Sequence, residues 1–154
     1  MKVEEILKVE NAPLVTVKPH ATISTVAHRL KNDRVGCAVI SEDGKHPEGI
    51  IAVRDIVYAM ADHWGSDPKD NEFSFIMQPV SDIMTHHVHV CRPHHLLKEV
   101  MAMMLHGHYL HIPVVNEANE LVGIISIDDV IKFGVGELQV EAEILRERLL
   151  SHDR

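Results

Sequence analysis

Cysteine, positive charge and long apolar runs are all scarce in this chain of 154 residues, and each shortage excludes a class of protein. Two cysteines, Cys37 and Cys91, are too few for a disulfide scaffold, so we expect a reducing, cytoplasmic setting. The net charge is −8, with 15 basic residues, which argues against the concentrated positive surface of a nucleic-acid-binding protein. No apolar run approaches the length of a membrane span, and the first residues lack the apolar core of a signal peptide.

Sequence motifs of catalysis are missing as well. The chain has no Gly-x-Ser-x-Gly, no glycine-rich phosphate loop and no His-Glu-x-x-His. Both cysteines fall in or beside predicted strands, where cysteine is usually a small buried hydrophobe. We therefore expect a binding or interaction protein and not an enzyme.

What the chain does contain is a long internal repeat. The segment Gly49-Ile-Ile-Ala-Val-Arg-Asp-Ile56 aligns with Gly123-Ile-Ile-Ser-Ile-Asp-Asp-Val130, and each follows an apolar run and a turn. Upstream, residues 15–20 align with 88–94, with one residue inserted. Because a repeat of this length determines the fold, it takes precedence over local propensity. We predict a first repeat at 1–63, a linker at 64–78, a second repeat at 79–134 and a C-terminal amphipathic helix at 135–154.

Hydrophobic periodicity assigns a secondary structure to most of each repeat. Thr22 can cap a helix that starts at Ile23. Ser126 stands at the N-cap position of another helix, the second one of the second repeat. In the linker, we expect Trp64, Phe73 and Phe75 to anchor the chain on the core. Strands are predicted at 14–17, 36–40, 48–53, 88–90, 112–115 and 121–125, and helices at 3–8, 23–30, 54–63, 95–106, after 126, and at 137–151.

The last of these helices extends beyond the repeats. Leu138, Ala142, Leu145 and Leu149 recur at heptad-like spacing along it. Such a stripe favours packing on a partner subunit or on the other repeat, and the alternative is a solvated helical tail.

Taken together, the motifs resemble a tandem pair of cystathionine-beta-synthase-type (CBS) domains, the arrangement also called a Bateman module. The resemblance is carried by Asp82-Ile-Met-Thr85, Ile112-Pro-Val-Val115 and Gly123-Ile-Ile-Ser-Ile-Asp-Asp129, and in the first repeat by Ala38-Val-Ile40 and Gly49-Ile-Ile-Ala-Val-Arg-Asp55. It implies an α+β fold of two β-α-β-β-α repeats paired about a pseudo-twofold axis, with two clefts between them. Such clefts often bind AMP, ADP, ATP, NADH or S-adenosylmethionine.

The family's ligand motif is Gly, two apolar residues and Ser/Thr-x-x-Asp, whose carboxylate accepts from ribose hydroxyls. The second repeat keeps it as Gly123, Ser126 and Asp129, although helix capping is a competing account of Ser126. The first repeat keeps Asp55 but has Ala52 in place of the hydroxyl.

The position before each of these aspartates differs in charge. Arg54 could meet a phosphate, whereas its counterpart Asp128 would repel one. A phosphate tail is therefore expected to lean toward Arg54, Lys18 or histidines.

The resemblance also implies which side chains would line each cleft. We expect residues 85–88 and 112–114 in the second cleft, and residues 14–16 with Ala38 and Val39 in the first. The complete set of expected ligand-binding residues is Thr16, Ala38, Val39, Arg54, Asp55, Thr85, His87, Val88, Ile112, Pro113, Val114, Ser126 and Asp129.

The 13 histidines are the oddity of the composition, and most crowd the second repeat. Imidazole is a common metal ligand, but the spacings match no specific metal motif, so we expect surface histidines and no metal site. The favoured hypothesis is a cytoplasmic regulatory module that forms a homodimer through its CBS repeats, binds an adenosine-containing ligand such as AMP or ATP, needs no obligatory cofactor and acts on an unknown regulated protein. The alternatives are a ligand-free dimerisation or scaffold module and, less favoured, a histidine-based metal sensor.

Overall fold

The computed structural model describes residues 1–10, 13–66 and 72–152, which form two interlocked α+β halves. A three-stranded sheet with order β1-β2-β3 belongs to the first half, and a two-stranded sheet of β4 and β5 belongs to the second. The α+β expectation is confirmed. The elements are α1 (Val3–Val9), β1 (Thr16–Val17), α2 (Ile23–Asp33), β2 (Cys37–Ile40), β3 (Gly49–Ala52), α3 (Val53–Ser66), α4 (Glu72–Ile76), a 3-10 turn (Val80–Asp82), α5 (Leu97–Gly107), β4 (His111–Val115), β5 (Leu121–Ser126) and α6 (Ile127–His152).

Both predicted β-hairpins form, in equivalent registers. Cys37 lies opposite Ala52 in the first hairpin, and His111 lies opposite Ser126 in the second. The predicted cap of α2 is also present, since the Thr22 hydroxyl accepts a hydrogen bond from the Thr25 amide at 3.1 Å.

The predicted strand at 88–90 is wrong, because only Cys91 makes a bridge to Val114 in the described chain. The Cys91 amide donates to the Pro113 carbonyl, and the Val115 amide donates to the Cys91 carbonyl. The next bond of a parallel ladder would need an N–H at Pro113, and proline has none. In the first repeat Val39 fills that position and donates to Val15, so β1 forms there.

Each half completes its core with residues from the start of the other repeat, which we call its leading segment. Val3 and Ile6 of α1 are fully buried among residues of the second repeat, including Val100, Ile112 and Ile125. Conversely, Val80 packs into the core of the first repeat. The bridges Lys2–Leu96 and Thr22–Pro79 are equivalent contacts of this exchange. The two repeats are therefore joined by burial of apolar surface on both sides.

Two glycines of the repeat motif allow this exchange. A Cβ at Gly123 would lie 2.6 Å from Leu7 Cδ2, and a Cβ at Gly49 would lie 2.4 Å from Met84 Sδ. Leu7 and Met84 occupy equivalent positions in the two leading segments. The glycine of the motif thus has a packing role, independent of any ligand.

The linker is anchored by one of its three predicted aromatic residues. Phe75 on α4 is buried in the core of the first repeat, whereas Trp64 and Phe73 are exposed. The expectation is therefore wrong for those two side chains. Residues 67–71 of the predicted loop lie outside the described residues.

The predicted C-terminal helix is confirmed, but it is not a separate element. α6 is a single helix of 26 residues that runs through Gly134 and Gly136. Glycine in a helix interior costs only about 1 kcal/mol relative to alanine, which packing and hydrogen bonding upstream can offset. Beyond Gly136 the described side chains of α6 are exposed, and Glu137 reaches the first repeat through an ion pair with the amino group of Met1.

Candidate ligand-binding clefts between the repeats

Two clefts lie between the repeats, each containing one of the motif aspartates. The Asp55 cleft has a volume of about 470 Å³ and the Asp129 cleft about 200 Å³. The Asp55 cleft is lined by Gly36, Cys37, Ile50, Ala52, Val53, Arg54, Asp55, Thr85, His87, Val88, His89, Gly107, His108, Tyr109, Leu110, His111 and Pro113. The Asp129 cleft is lined by Pro13, Leu14, Val15, Arg34, Val35, Gly36, Cys37, His111, Ile124, Ser126, Asp128 and Asp129.

Each aspartate is held at the junction between a strand and a helix. The Ala52 amide donates to Asp55 Oδ2 at 2.7 Å, and the Ser126 amide donates to Asp129 Oδ2 at the same distance. Among the described residues, the structure gives neither Oδ1 atom a hydrogen-bond donor. Each carboxylate therefore has one oxygen fixed by the fold and one available to accept from a ligand hydroxyl.

Ser126 and Asp129 cap one another. The Ser126 hydroxyl donates to Asp129 Oδ2 at 2.9 Å, and the Asp129 amide lies 3.3 Å from the Ser126 hydroxyl oxygen. This reciprocal pair accounts for the serine as a helix cap, the competing interpretation of the motif. Ala52 lacks the hydroxyl, yet Asp55 keeps the same backbone hydrogen bond, so the loss of the hydroxyl does not displace the carboxylate.

The structure groups the cleft residues the opposite way from the sequence-based expectation. Thr85, His87, Val88 and Pro113 line the cleft of Asp55, and not that of Asp129. Residues 14 and 15 line the Asp129 cleft instead. The reason is a backbone pair, in which the amides of Ile50 and Thr85 each donate to the other's carbonyl, at 3.1 and 2.9 Å. This pair adds Thr85 to the edge of the first sheet, so each motif faces the loop of the other repeat.

Five of the expected residues do not line either cleft. Ala38, Val39, Ile112 and Val114 are fully buried, and Thr16 is half-buried on β1, where it pairs with Val39. In the structure these side chains lie in the core or within a sheet. The remaining eight expected residues divide between the clefts, with Ser126 and Asp129 in one and the other six in the other.

Sequence reasoning missed the side chains between the clefts. His111 and Cys37 start equivalent strands, and each lines both clefts, as does Gly36. A Cβ at Gly36 would lie 3.0 Å from His111 Cε1, so the imidazole packs directly on the backbone there. The hairpin register is the sequence signal that could have identified these side chains, because it places Cys37 opposite Ala52 and His111 opposite Ser126.

The Cys37 and Cys91 thiols are buried, as predicted for small hydrophobes. Burial raises the pKa of each thiol to about 12, with the charge of Asp55 adding to the effect at Cys37. Both thiols are thus protonated near neutral pH and poor nucleophiles, because the thiolate is the reactive form.

Burial also lowers the pKa of His111, and Arg54 adds to this effect, while Asp128 and Asp129 oppose it. The folded protein therefore binds a proton at His111 less readily than the unfolded chain. The stability associated with neutral His111 is complete above the ordinary histidine value of 6.5, and it is lost as pH falls toward the lower folded pKa. We expect the free energy of unfolding to fall with pH in this range, and His111→Gln to reduce the slope. Denaturant melts at pH 7.5, 6.5 and 5.5 measure it; an unchanged slope contradicts the prediction.

Two further properties bear on the candidate functions. Among the described residues, no group of three or more histidine, cysteine or carboxylate side chains is arranged to hold a metal ion. None of the helices within the described ranges has the length and apolar character needed to cross a membrane.

Comparison with known proteins agrees with this architecture. The profile of the CBS domain matches residues 3–62 and 80–136. A 17.7 kDa protein from the bps2 3′ region of Acidianus ambivalens is 27% identical over 125 residues, which cover 81% of this chain and 70% of that protein.

Solved structures are also similar. The CBS-domain protein ATU1752 from Agrobacterium tumefaciens has a TM-score of 0.74 at 30% identity, covering 86% of this chain and 98% of that one. The CBS-domain protein PAE2072 from Pyrobaculum aerophilum, complexed with AMP, has a TM-score of 0.69 at 28% identity, covering 84% and 89%. With matches over both repeats and the fold in agreement, this chain belongs to the CBS domain family.

Proposed function

We propose that the protein is a regulatory module that binds an adenosine-containing ligand, such as AMP, ADP, ATP, NADH or S-adenosylmethionine, in the clefts between its repeats. The observation that carries the proposal is the pair of clefts, each with a carboxylate fixed through one oxygen and open at the other. The AMP complex of PAE2072, which is 28% identical, supports the choice of ligand class.

The chemistry of the clefts fits a nucleoside. An ionised carboxylate accepts hydrogen bonds from adjacent ribose hydroxyls, and charge-assisted bonds of this kind are among the stronger ones. Apolar residues in the clefts offer a surface for a base, with Ile50 and Pro113 in one cleft and Leu14 and Ile124 in the other. A few polar groups in an otherwise apolar cleft are typical of small-molecule sites.

The test is thermal unfolding of the full chain with AMP, ADP, ATP, NADH and S-adenosylmethionine in turn. A ligand at a hundred times its dissociation constant is expected to stabilise the protein by about 2.7 kcal/mol. Asp55→Asn and Asp129→Asn each keep the side-chain shape and remove the charge. We expect each to weaken binding in its own cleft by about 10-fold or more, the value of a hydrogen bond to a charged group.

Asp82→Asn is the matched control, because Asp82 is exposed and lines neither cleft. It should leave binding unchanged. No stabilisation by any of the five compounds, in protein freed of co-purified ligand, would favour the ligand-free scaffold. A shift with zinc alone that a chelator reverses would favour the metal sensor.

The proposal extends to the setting in which the module acts. We place it in the cytoplasm as a homodimer paired through its CBS repeats, acting without an obligatory cofactor on a regulated protein that remains to be found. Ligand binding changes that protein only if the ligand has different affinities for two arrangements of the module. Small-angle scattering with and without the stabilising compound tests for two arrangements, and identical curves would contradict this step.

A further inference from the structure

We propose that the two clefts sort adenosine ligands by charge, with the Asp55 cleft taking a ligand that carries a 5′-phosphate and the Asp129 cleft taking an uncharged or cationic one. This inference rests on the proposed function. It concerns which ligand each cleft prefers, a property that the two clefts need not share.

The repeat provides an internal comparison. Arg54 and Asp128 occupy the same position in the first turn of equivalent helices, α3 and α6, one residue before the motif aspartates. Both helix N-termini favour an anion to the same degree, so this contribution cancels between the clefts. What differs is a positive charge in one cleft and a negative charge in the other.

Arg54 is well placed to meet a phosphate. Its side chain is exposed and makes no ion pair among the described residues. The guanidinium group binds phosphate oxygens through several N–H donors at once. The histidines His87, His89, His108 and His111 line the same cleft and add further N–H donors.

The Asp129 cleft has the opposite balance. Asp128 and Asp129 face it together with a single arginine, Arg34, so it holds one more negative than positive charge when its histidine is neutral. It is also less than half the size of the Asp55 cleft, at about 200 against 470 Å³. The larger Asp55 cleft therefore has more room for a phosphate tail beside the nucleoside.

The experiment compares AMP with adenosine by isothermal titration calorimetry at one salt concentration. Asp129→Asn isolates the Asp55 cleft, and Asp55→Asn isolates the Asp129 cleft. We expect AMP to bind the Asp55 cleft at least about 10-fold more tightly than adenosine does, the value of a charge-assisted contact, and the order to be reversed in the Asp129 cleft.

Charge-reversal variants test the assignment to these two residues. Arg54→Asp should abolish the preference for AMP in the Asp55 cleft, and Asp128→Arg should create one in the other. Lys98→Asp is the control, because it makes the same change in net charge on an exposed side chain outside both clefts.

Equal affinities of AMP and adenosine in both clefts, with no effect of Arg54→Asp, would overturn charge sorting and leave the proposed function intact. A preference for AMP in the Asp129 cleft would also overturn it. If neither compound binds, charge sorting is overturned, whereas the proposed function fails only if none of its five compounds stabilises the protein.

A different observation carries a second inference, which does not depend on any ligand. We infer that one face of α6 pairs with the same face of a second copy as a parallel, two-stranded coiled coil. This α6 seam consists of Ile131, Val135, Leu138, Ala142, Leu145 and Leu149, which alternate at spacings of four and three residues. Such spacing places all six along one side of a helix.

The seam is uncovered in the single chain. Ile131, Leu138 and Leu149 are 57%, 67% and 70% exposed. The heptad a positions are Val135, Ala142 and Leu149, and the d positions are Ile131, Leu138 and Leu145. In this register Glu141 falls at g and Arg146 at e. In a parallel dimer, g of one helix meets the following e of its partner, which sets Glu141 against Arg146 on both sides of the seam.

The charges also permit an antiparallel pair, in which g positions meet and Glu141 lies against Arg148 of the partner copy. The orientation is instead chosen by the proposed pairing of the CBS repeats. A parallel pair keeps the repeats of both copies at the same end of the coiled coil, where they can contact each other, and this favours a second copy in parallel orientation as the occupant of the seam.

Sedimentation of the full chain at micromolar concentration tests this pairing. We expect a dimer whose dissociation constant Leu138→Glu raises by at least about 10-fold, since the α6 seam adds to the contact between the repeats, while circular dichroism shows that the helix is retained. Val140→Glu is the matched control, since Val140 is 57% exposed and lies off the seam. A wild-type monomer, a trimer, or a dissociation constant that is the same in Leu138→Glu as in the wild type would overturn the inference.

The orientation has its own readout. Leu149→Cys should form a disulfide-linked dimer on mild oxidation, because equivalent a positions face each other in a parallel coiled coil. Cys37 and Cys91 are buried and do not compete for this reaction. A wild-type dimer whose Leu149→Cys variant does not cross-link would contradict the parallel arrangement.

Discussion

Ile125→Ala is expected to cost about 2–5 kcal/mol of unfolding free energy, the range for removing a large aliphatic side chain from a well-packed core. Ile125 on β5 is fully buried and lies opposite Ile112 in the second hairpin. Val3 and Ile6 of α1 belong to the same core, so the cavity would also weaken the contact that joins the repeats. A denaturant melt monitored by circular dichroism measures the loss.

The same strand offers a control for this prediction. Val122 on β5 is 46% exposed, so Val122→Ala removes little buried surface. Its effect should stay within about 0.5 kcal/mol, as for most surface substitutions. Similar losses from both variants would mean that β5 is not packed as described.

Gly123→Ala is expected to destabilise the protein by about 1–3 kcal/mol, the usual cost of forcing extra volume into a packed site. The added methyl group would lie 2.6 Å from Leu7 Cδ2, on the segment that crosses to the second repeat. Gly49→Ala should act alike, because its methyl group would meet the side chain of Met84. Thermal unfolding of the two variants measures whether the equivalent positions behave equally.

The glycines of α6 provide a control of opposite sign. A Cβ at Gly136 would meet no atom within 4 Å among the described residues. Gly136→Ala should therefore stabilise the protein by about 0.5–1 kcal/mol through helix propensity.

A double-mutant cycle tests whether Leu7 is the side chain that the added methyl group meets. Leu7→Ala should lessen the cost of Gly123→Ala. Purely additive effects would show that Leu7 is not the obstacle.

Local patterns in the sequence predicted the features that depend on near neighbours. Both hairpins follow from apolar runs of strand length separated by turn residues, and the cap of α2 follows from Thr22 before Ile23. The repeat could be recognised because both halves use the same residues in the same order. These features are decided within a few positions along the chain, where periodicity and capping act.

Predictions that depended on distant residues were less successful. The strand at 88–90 failed because its partner in the sheet is Pro113, which cannot donate to it. The expected end of a helix near Gly134 is absent, because packing and hydrogen bonding in the neighbouring turns offset the cost of a glycine in the helix interior. The lining of the clefts was assigned within each repeat, whereas the structure exchanges the loops between repeats.

By itself, the sequence determined the two repeats, the α+β architecture and the aspartates at the strand-to-helix junctions, because composition, period and capping are local properties. Only the tertiary structure decided which loop faces which aspartate, that His111 separates the two clefts, and that Ala38 and Ile112 are core residues. Those outcomes depend on how the leading segments cross between the repeats, and long-range packing of this kind leaves no periodic signal along the chain.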